Sequence, residues 1–202
     1  MEALLTGKRY VVVGTSGAGK STFARKLAAI IGGKHVELDA LHWNADWTPH
    51  APEDFEASVR DQTTGDRWVA DGNYSAVRQL LWARATDIVW LNFSRTVVFT
   101  RVVRRTLRRA ALREELWAGN RESLAMAFLS KDSILLWSFT TYRKNRVKYA
   151  SARASGHHAH LRWHELRTPR EARRFLHAAG VDPRCAAAAL RSGCALHRPG
   201  EN

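Results

Sequence analysis

Residues 14–21, G-T-S-G-A-G-K-S, constrain what this chain can fold into more than any other stretch. Val11-Val12-Val13 lead into them as a continuous β-branched apolar run, the pattern of a parallel strand buried on both faces. Phe23, Leu27, Ile30 and Ile31 then recur at helical spacing, and Gly32-Gly33 supply a stop. A strand, a glycine-rich turn and a helix in that order form a phosphate-binding loop. Glycines let successive backbone N–H groups converge on phosphate oxygens, and the helix adds its positive dipole end. Gly14, Thr15, Ser16, Gly17, Ala18, Gly19, Lys20, Ser21 and Thr22 are therefore the expected nucleotide cradle. Lys20 is positioned to reach the β- and γ-phosphates, and Ser21 to ligate Mg²⁺. The loop alone leaves transfer, mechanical work and switching open.

Beyond the loop, strands alternate with helices. Strands are predicted at 35–39, 67–70, 87–93 and 160–163, and helices at 53–64, 74–85 and 96–112. More helix is expected up to about residue 149. A last helix opens at Thr168-Pro169, with Glu171 completing a capping box, and ends at Gly180. Such alternation predicts right-handed βαβ units and a parallel sheet covered on both faces. The expected fold is a three-layer αβα P-loop NTPase fold with a five-stranded parallel sheet and a short helical lid. Ligands in these sheets bind beyond the carboxyl ends of the strands.

That edge collects the candidate site residues. Asp39 and Asp71 fall at two strand ends, where a magnesium ion wants a carboxylate, directly or through water; each also suits a turn or a helix cap. On a helix from residue 96, Arg101, Arg104, Arg105 and Arg108 share an arc of about 100°, with Phe99, Val103, Leu107 and Ala110 opposite. Forked arginine donors match the charge of a phosphoryl group in flight. The same stripe also suits a solvated basic face or a nucleic-acid contact. Arg113 and Arg121 flank a polar break at 117–120, where a lid could bring them onto the nucleotide. His42 and Trp43, just after Asp39, either line an acceptor pocket or pack under the next helix.

Net charge is +13, supplied mostly by arginine, and attracts polyanions. Nucleic acid on the basic faces is thus a possible partner beside a small-molecule or nucleotide acceptor. No apolar run is long enough to span a bilayer, and Lys8 and Arg9 interrupt any signal-like segment, so a cytoplasmic protein without a membrane partner is expected. Cys185 and Cys194 form no disulfide framework, and His157, His158, His160 and His164 match no common metal spacing.

The segments GTSGAGKST at 14–22, ELDALHW at 37–43, RWVADGNY at 67–74, REELWAGNRES at 113–123 and DSILLWSFTTYRKNR at 132–146 resemble small P-loop kinases of the adenylate kinase and shikimate kinase type. The resemblance is closest to the adenylate-kinase-related group labelled DNA topology modulation proteins, and it spans most of residues 8–179. It implies ATP and Mg²⁺ as cofactors and transfer of the γ-phosphate to a small acceptor. It also implies that Asp71-Gly72 lies near the metal and the acceptor phosphate and that Arg101, Arg105 and Arg113 clamp the transferred group. From the stripe and the lid, Arg104, Arg108 and Arg121 are expected on the substrate side. The D-G-F-P-R run of adenylate kinases is D-G-N-Y-S here, so recognition of AMP is not implied. A kinase-like domain is expected over 1–180, its lid at about 110–125, followed by a flexible tail at 181–202.

Overall fold

A computed structural model describes residues 8–112, 117–119 and 134–180. Arg113, Arg121 and most of the expected lid lie outside these residues, as does the tail with Cys185 and Cys194. The strands are β1 (Arg9–Gly14), β2 (Lys34–Glu37), β3 (Trp68–Asp71), β4 (Asp87–Leu91) and β5 (Arg162–Leu166). They form one sheet in the order β2-β3-β1-β4-β5, and every pairing is parallel. Helices are α1 (Lys20–Ile31), α2 (Leu38–His42), α3 (Pro52–Gln62), α4 (Arg78–Arg84), α5 (Arg95–Leu112), α6 (Ile134–Ala154) and α7 (Pro169–Gly180). This is the three-layer αβα P-loop architecture.

Two apolar layers sandwich the sheet. Val11, Val13, Ile88 and Trp90 point to one side, against Leu38, Phe55, Leu81, Trp82 and Tyr149. Tyr10, Val12, Val89 and Leu91 point to the other, against Phe23, Leu27, Val98, Val102 and Ala172. Tyr10 through Val13 are at most 2% exposed, which explains why this strand carries no polar alternation. Among the described residues, no helix is long and apolar enough to cross a membrane.

Several boundaries differ from the sequence expectation. β2 stops at Glu37, so Asp39 sits in the first turn of α2 rather than at a strand end. The helix expected from residue 74 begins at Arg78, which leaves Tyr74 in the connecting segment. β5 starts two residues later than expected, because its register with β4 is set by a buried carboxylate. Asp87 is fully buried, and it accepts bonds from His164 Nε2 (2.7 Å) and Arg162 Nη2 (2.8 Å). Burial alone raises the Asp87 pKa, but bonds from His164, Arg162 and Thr86 outweigh it and hold the pKa below 3.8. At the start of α7 the Thr168 hydroxyl accepts the Glu171 N–H (3.1 Å), as the capping signal predicted.

The Asp87 group lies at the end of the sheet away from the phosphate loop, and its depressed pKa is a stability statement. Its contribution is fully present above the ordinary carboxylate value of 3.8 and is lost as pH falls through the lower folded value. Asp87→Asn is expected to cost about 3 kcal/mol at neutral pH. Urea melts at neutral and acid pH check this. The gap between wild type and variant should close below pH 3.8, and a gap independent of pH would contradict the assignment.

Candidate active site at the carboxyl edge of the sheet

The turn between β1 and α1 is shaped by glycines where other residues do not fit. Gly17 has φ +86°, and a Cβ on it would come within 2.1 Å of Val102 Cγ2 and 2.9 Å of the Val98 carbonyl on α5. Gly19 caps α1 in the left-handed region, at φ 88°. The loop is thereby pressed between its own helix and α5, with the first N–H groups of α1 unpaired by any side-chain cap.

Lys20, Ser21 and Asp71 come together at the start of α1. The Ser21 hydroxyl donates to Asp71 Oδ2 at 2.6 Å. Asp71 is 2% exposed and pairs with Val12 in the sheet register, which puts its carboxylate beside the loop's entrance. Its other oxygen, Oδ1, lies 2.8 Å from His35 Nε2 on β2. Lys20 Nζ lies over the loop, 3.5 Å from the Thr15 carbonyl. Burial lowers the Lys20 pKa. Asp39 and Asp71 oppose that shift, and Arg105 reinforces it, so all four charges share one neighbourhood.

Asn73 fastens the loop to β3. Its Nδ2 donates to the Gly14 carbonyl (2.7 Å), its Oδ1 accepts the Gly14 N–H (3.4 Å), and the Tyr149 hydroxyl donates to the same oxygen (2.8 Å). Beside it, the Tyr74 hydroxyl donates to Asp39 Oδ1 at 2.6 Å. Burial, and then the Asp39 charge, raise the Tyr74 pKa, so this phenol stays protonated and orients the carboxylate.

His42 and Trp43 belong to an aromatic cluster at the same edge. The His42 ring lies 4.5 Å from Tyr74, 4.7 Å from Trp43 and 5.0 Å from Phe55, centroid to centroid. Burial lowers the His42 pKa, with Asp39 opposing and His50 reinforcing, so the imidazole is neutral near pH 7. The described turn Trp117–Gly119 contacts α2 and the turn Ala45–Trp47, so chain on the far side of α5 returns over this region.

The arginine stripe divides. Arg101 Nη1 donates to the Ala18 carbonyl in the loop (3.0 Å), with its guanidinium 5.2 Å from the Phe93 ring centroid. Arg105 acts on Lys20 through its charge. Arg104 and Arg108 are exposed. Opposite the stripe, Phe99 and Leu107 are also exposed, because α5 packs through Val98 and Val102 instead.

Oxygen donors at Ser21 and Asp71, next to a phosphate cradle, fit a hard divalent cation such as Mg²⁺. Among the described residues, no group of three or more His, Cys, Asp or Glu forms a metal centre of its own. Such an ion would depend on phosphate oxygens and water for its remaining ligands, as Mg²⁺ commonly does. Sequence reasoning missed His35, Asn73, Tyr74 and Tyr149. The only local hint was that two of them follow Asp71-Gly72 directly.

No family model matches the chain, and neither does any curated protein. Among solved structures, it is similar to a gluconokinase from Sinorhizobium meliloti 1021, at 19% identity over 92% of this chain and 97% of that one, with a TM-score of 0.46. It is also similar to the shikimate kinase from Acinetobacter baumannii in complex with shikimate, at 16% identity over 95% and 97%, with a TM-score of 0.47.

The contact between Gly17 and α5 is directly testable. Gly17→Ala meets both a forbidden φ and the Val102 side chain, and it should lower stability by about 1–3 kcal/mol. The variant should also weaken ADP binding, measured by calorimetry alongside a thermal melt. A wild-type melt would mean that loop and helix are not in contact.

Proposed function

We propose that this chain is an ATP-dependent phosphotransferase that moves the γ-phosphate of ATP to a small acceptor. The observation that carries the reading is the Ser21–Asp71 bond at the first turn of α1, in a loop flanked on its other side by Arg101. A motor or switch needs the loop and the carboxylate. Arginines set against the loop from a separate helix, and an aromatic-lined region beside Asp39, suit transfer to a second substrate.

In this reading residues 14–22 hold the triphosphate, and Ser21 and Asp71 would hold Mg²⁺, which would supply charge neutralisation for the phosphates. The acceptor hydroxyl oxygen forms a bond to the γ-phosphorus, the bond from that phosphorus to the β–γ bridging oxygen breaks, and ADP leaves. Asp39, oriented by Tyr74, takes the hydroxyl proton through its second oxygen. Lys20, Arg101 and Arg105 face the charge on the moving group, and Arg113 and Arg121 join them from the lid. Arg104 and Arg108 lie further out on the substrate side. His42 and Trp43 wall the acceptor and keep water from competing for the phosphoryl group. We assign the kinase domain to residues 1–180 and place it nearest the adenylate-kinase-related group labelled topology modulation proteins.

Lys20→Ala tests the whole reading. ADP release with ATP, Mg²⁺ and a panel of acceptors should fall by at least about 10²-fold while circular dichroism stays native. Undiminished ATP consumption would sink the proposal. His35 supplies a narrower check, because it holds the oxygen of Asp71 that Ser21 does not touch. His35→Ala should weaken the Mg²⁺ enhancement of ADP binding by about tenfold and leave Mg²⁺-free ADP binding unchanged, with His35→Gln recovering part of the loss. Equal loss in both conditions would make His35 a general support of the fold.

A further inference from the structure

β1 outlasts its neighbour in the sheet. The last backbone rung between β1 and β3 joins Val12 to Asp71, where β3 ends, yet β1 runs on to Gly14. Two residues past Asp71, the side chain of Asn73 takes the place of a further rung. Its Nδ2 donates to the Gly14 carbonyl (2.7 Å), while its Oδ1 accepts the Gly14 N–H (3.4 Å). A planar group with a donor at one end and an acceptor at the other can hold both sides of one residue; a carboxylate, with no donor, cannot. Toward β4, a Cβ on Gly14 would come within 2.7 Å of the Leu91 carbonyl. Gly14 is the root of the phosphate loop, so its peptide planes are fixed before the chain turns.

Asn73 is itself held in place. The Tyr149 hydroxyl on α6 donates to its Oδ1 at 2.8 Å. A flipped amide would set Nδ2 against two donors and Oδ1 against the Gly14 carbonyl, so one orientation survives. Tyr149 is 1% exposed, with its ring centroid 6.0 Å from that of Trp90. Burial raises its pKa, with the Arg78 charge opposing, and the hydroxyl keeps its proton. Two helical turns earlier, the Tyr142 hydroxyl donates to the Phe93 carbonyl (3.0 Å), just ahead of α5. α5 in turn presses on Gly17 through Val98 and Val102. α6 therefore reaches the loop's surroundings at two points, and through Asn73 it reaches the loop itself.

We propose that Asn73 is a positioning residue for nucleotide binding, oriented by the Tyr149 hydroxyl, so that α6 sets the phosphate loop from outside it. This role rests on the nucleotide-binding part of the reading above and not on the transfer step. With the amide in place, the N–H groups that follow Gly14 start from one fixed direction. Without it, the nucleotide itself has to order the loop, and affinity falls by the cost of that ordering.

The test measures ADP affinity of the full chain by calorimetry without Mg²⁺, which leaves cation binding at Ser21 and Asp71 out of the comparison. Tyr149→Phe keeps the ring in the core and removes only the hydroxyl; it should weaken ADP binding about fivefold. Asn73→Ala should weaken it about tenfold. The double variant should bind ADP like Asn73→Ala alone, because the hydroxyl acts through the amide. In nucleotide-free protein, exchange of the Gly14 amide, followed by NMR, should be faster in both single variants than in wild type. A lowered thermal melt with wild-type ADP affinity and wild-type Gly14 exchange would make the contact a support of the fold alone and overturn the role. Losses that multiply in the double variant would overturn the path from Tyr149 through Asn73. If wild type binds no ADP while Gly14 exchange responds as expected, the nucleotide reading itself falls, and the positioning role falls with it.

Discussion

The Asp71 carboxylate is the point on which the rest of the site depends. It is almost fully buried, and each oxygen is engaged: Oδ2 by the Ser21 hydroxyl and Oδ1 by His35. A buried carboxylate is tolerated only when it is paired and hydrogen-bonded. Those two bonds therefore do more than add stability. They fix β2, β3 and the first turn of α1 relative to one another, and so fix where the loop's N–H groups converge. The parallel register, with Asp71 beside Val12 and Glu37 beside Asp71, carries that geometry into the sheet.

The two ends of the sheet handle charge in opposite ways. At the end away from the loop, Asp87 meets Arg162 and His164, and charge is matched within the protein. At the loop end, Lys20 and Arg101 face backbone carbonyls of the loop, with the charges of Asp39, Asp71 and Arg105 nearby. Internal pairing makes a rigid floor. Cations held on carbonyl oxygens make a place where a polyanion gains more than water can offer it.

The phosphate loop was legible because its signal is local. Glycines at 14, 17 and 19 are demanded by the positive φ of the turn itself, which the motif carries, although the space around them is closed by Leu91 on β4 and by Val98, Arg101 and Val102 on α5. Asp71 was legible as a strand-end acid. Asp39 reaches the sheet edge by a different route from the one its sequence suggests: β2 ends two residues earlier, and the first turn of α2 carries the carboxylate. β5 was read too early because His160-Leu161 looked as strand-like as Arg162-Trp163, and only the Asp87 partners, some 75 residues away, decide the register. Asn73 and Tyr149 meet across 76 residues, and no periodicity announces such a contact. The arginine stripe was visible as a helical face, but which of its members turn toward the loop depended on α5 packing through Val98 and Val102.

The aromatic cluster around His42 is a consequence of the same arrangement. In the phosphotransferase proposed above, transfer would compete with hydrolysis, so the site would have to exclude water beside the acceptor. His42 is held neutral by burial among Tyr74, Trp43 and Phe55, which adds bulk and an apolar surface without adding another cation to an already basic edge. Tyr74 serves both purposes, with its ring in the cluster and its hydroxyl on Asp39. A carboxylate beside a dry wall interacts more strongly with a nearby proton donor than one in open water. The wall and the carboxylate thus belong to one device, and the residue that joins them stands in the D-G-N-Y run where the sequence departs from the adenylate kinase pattern.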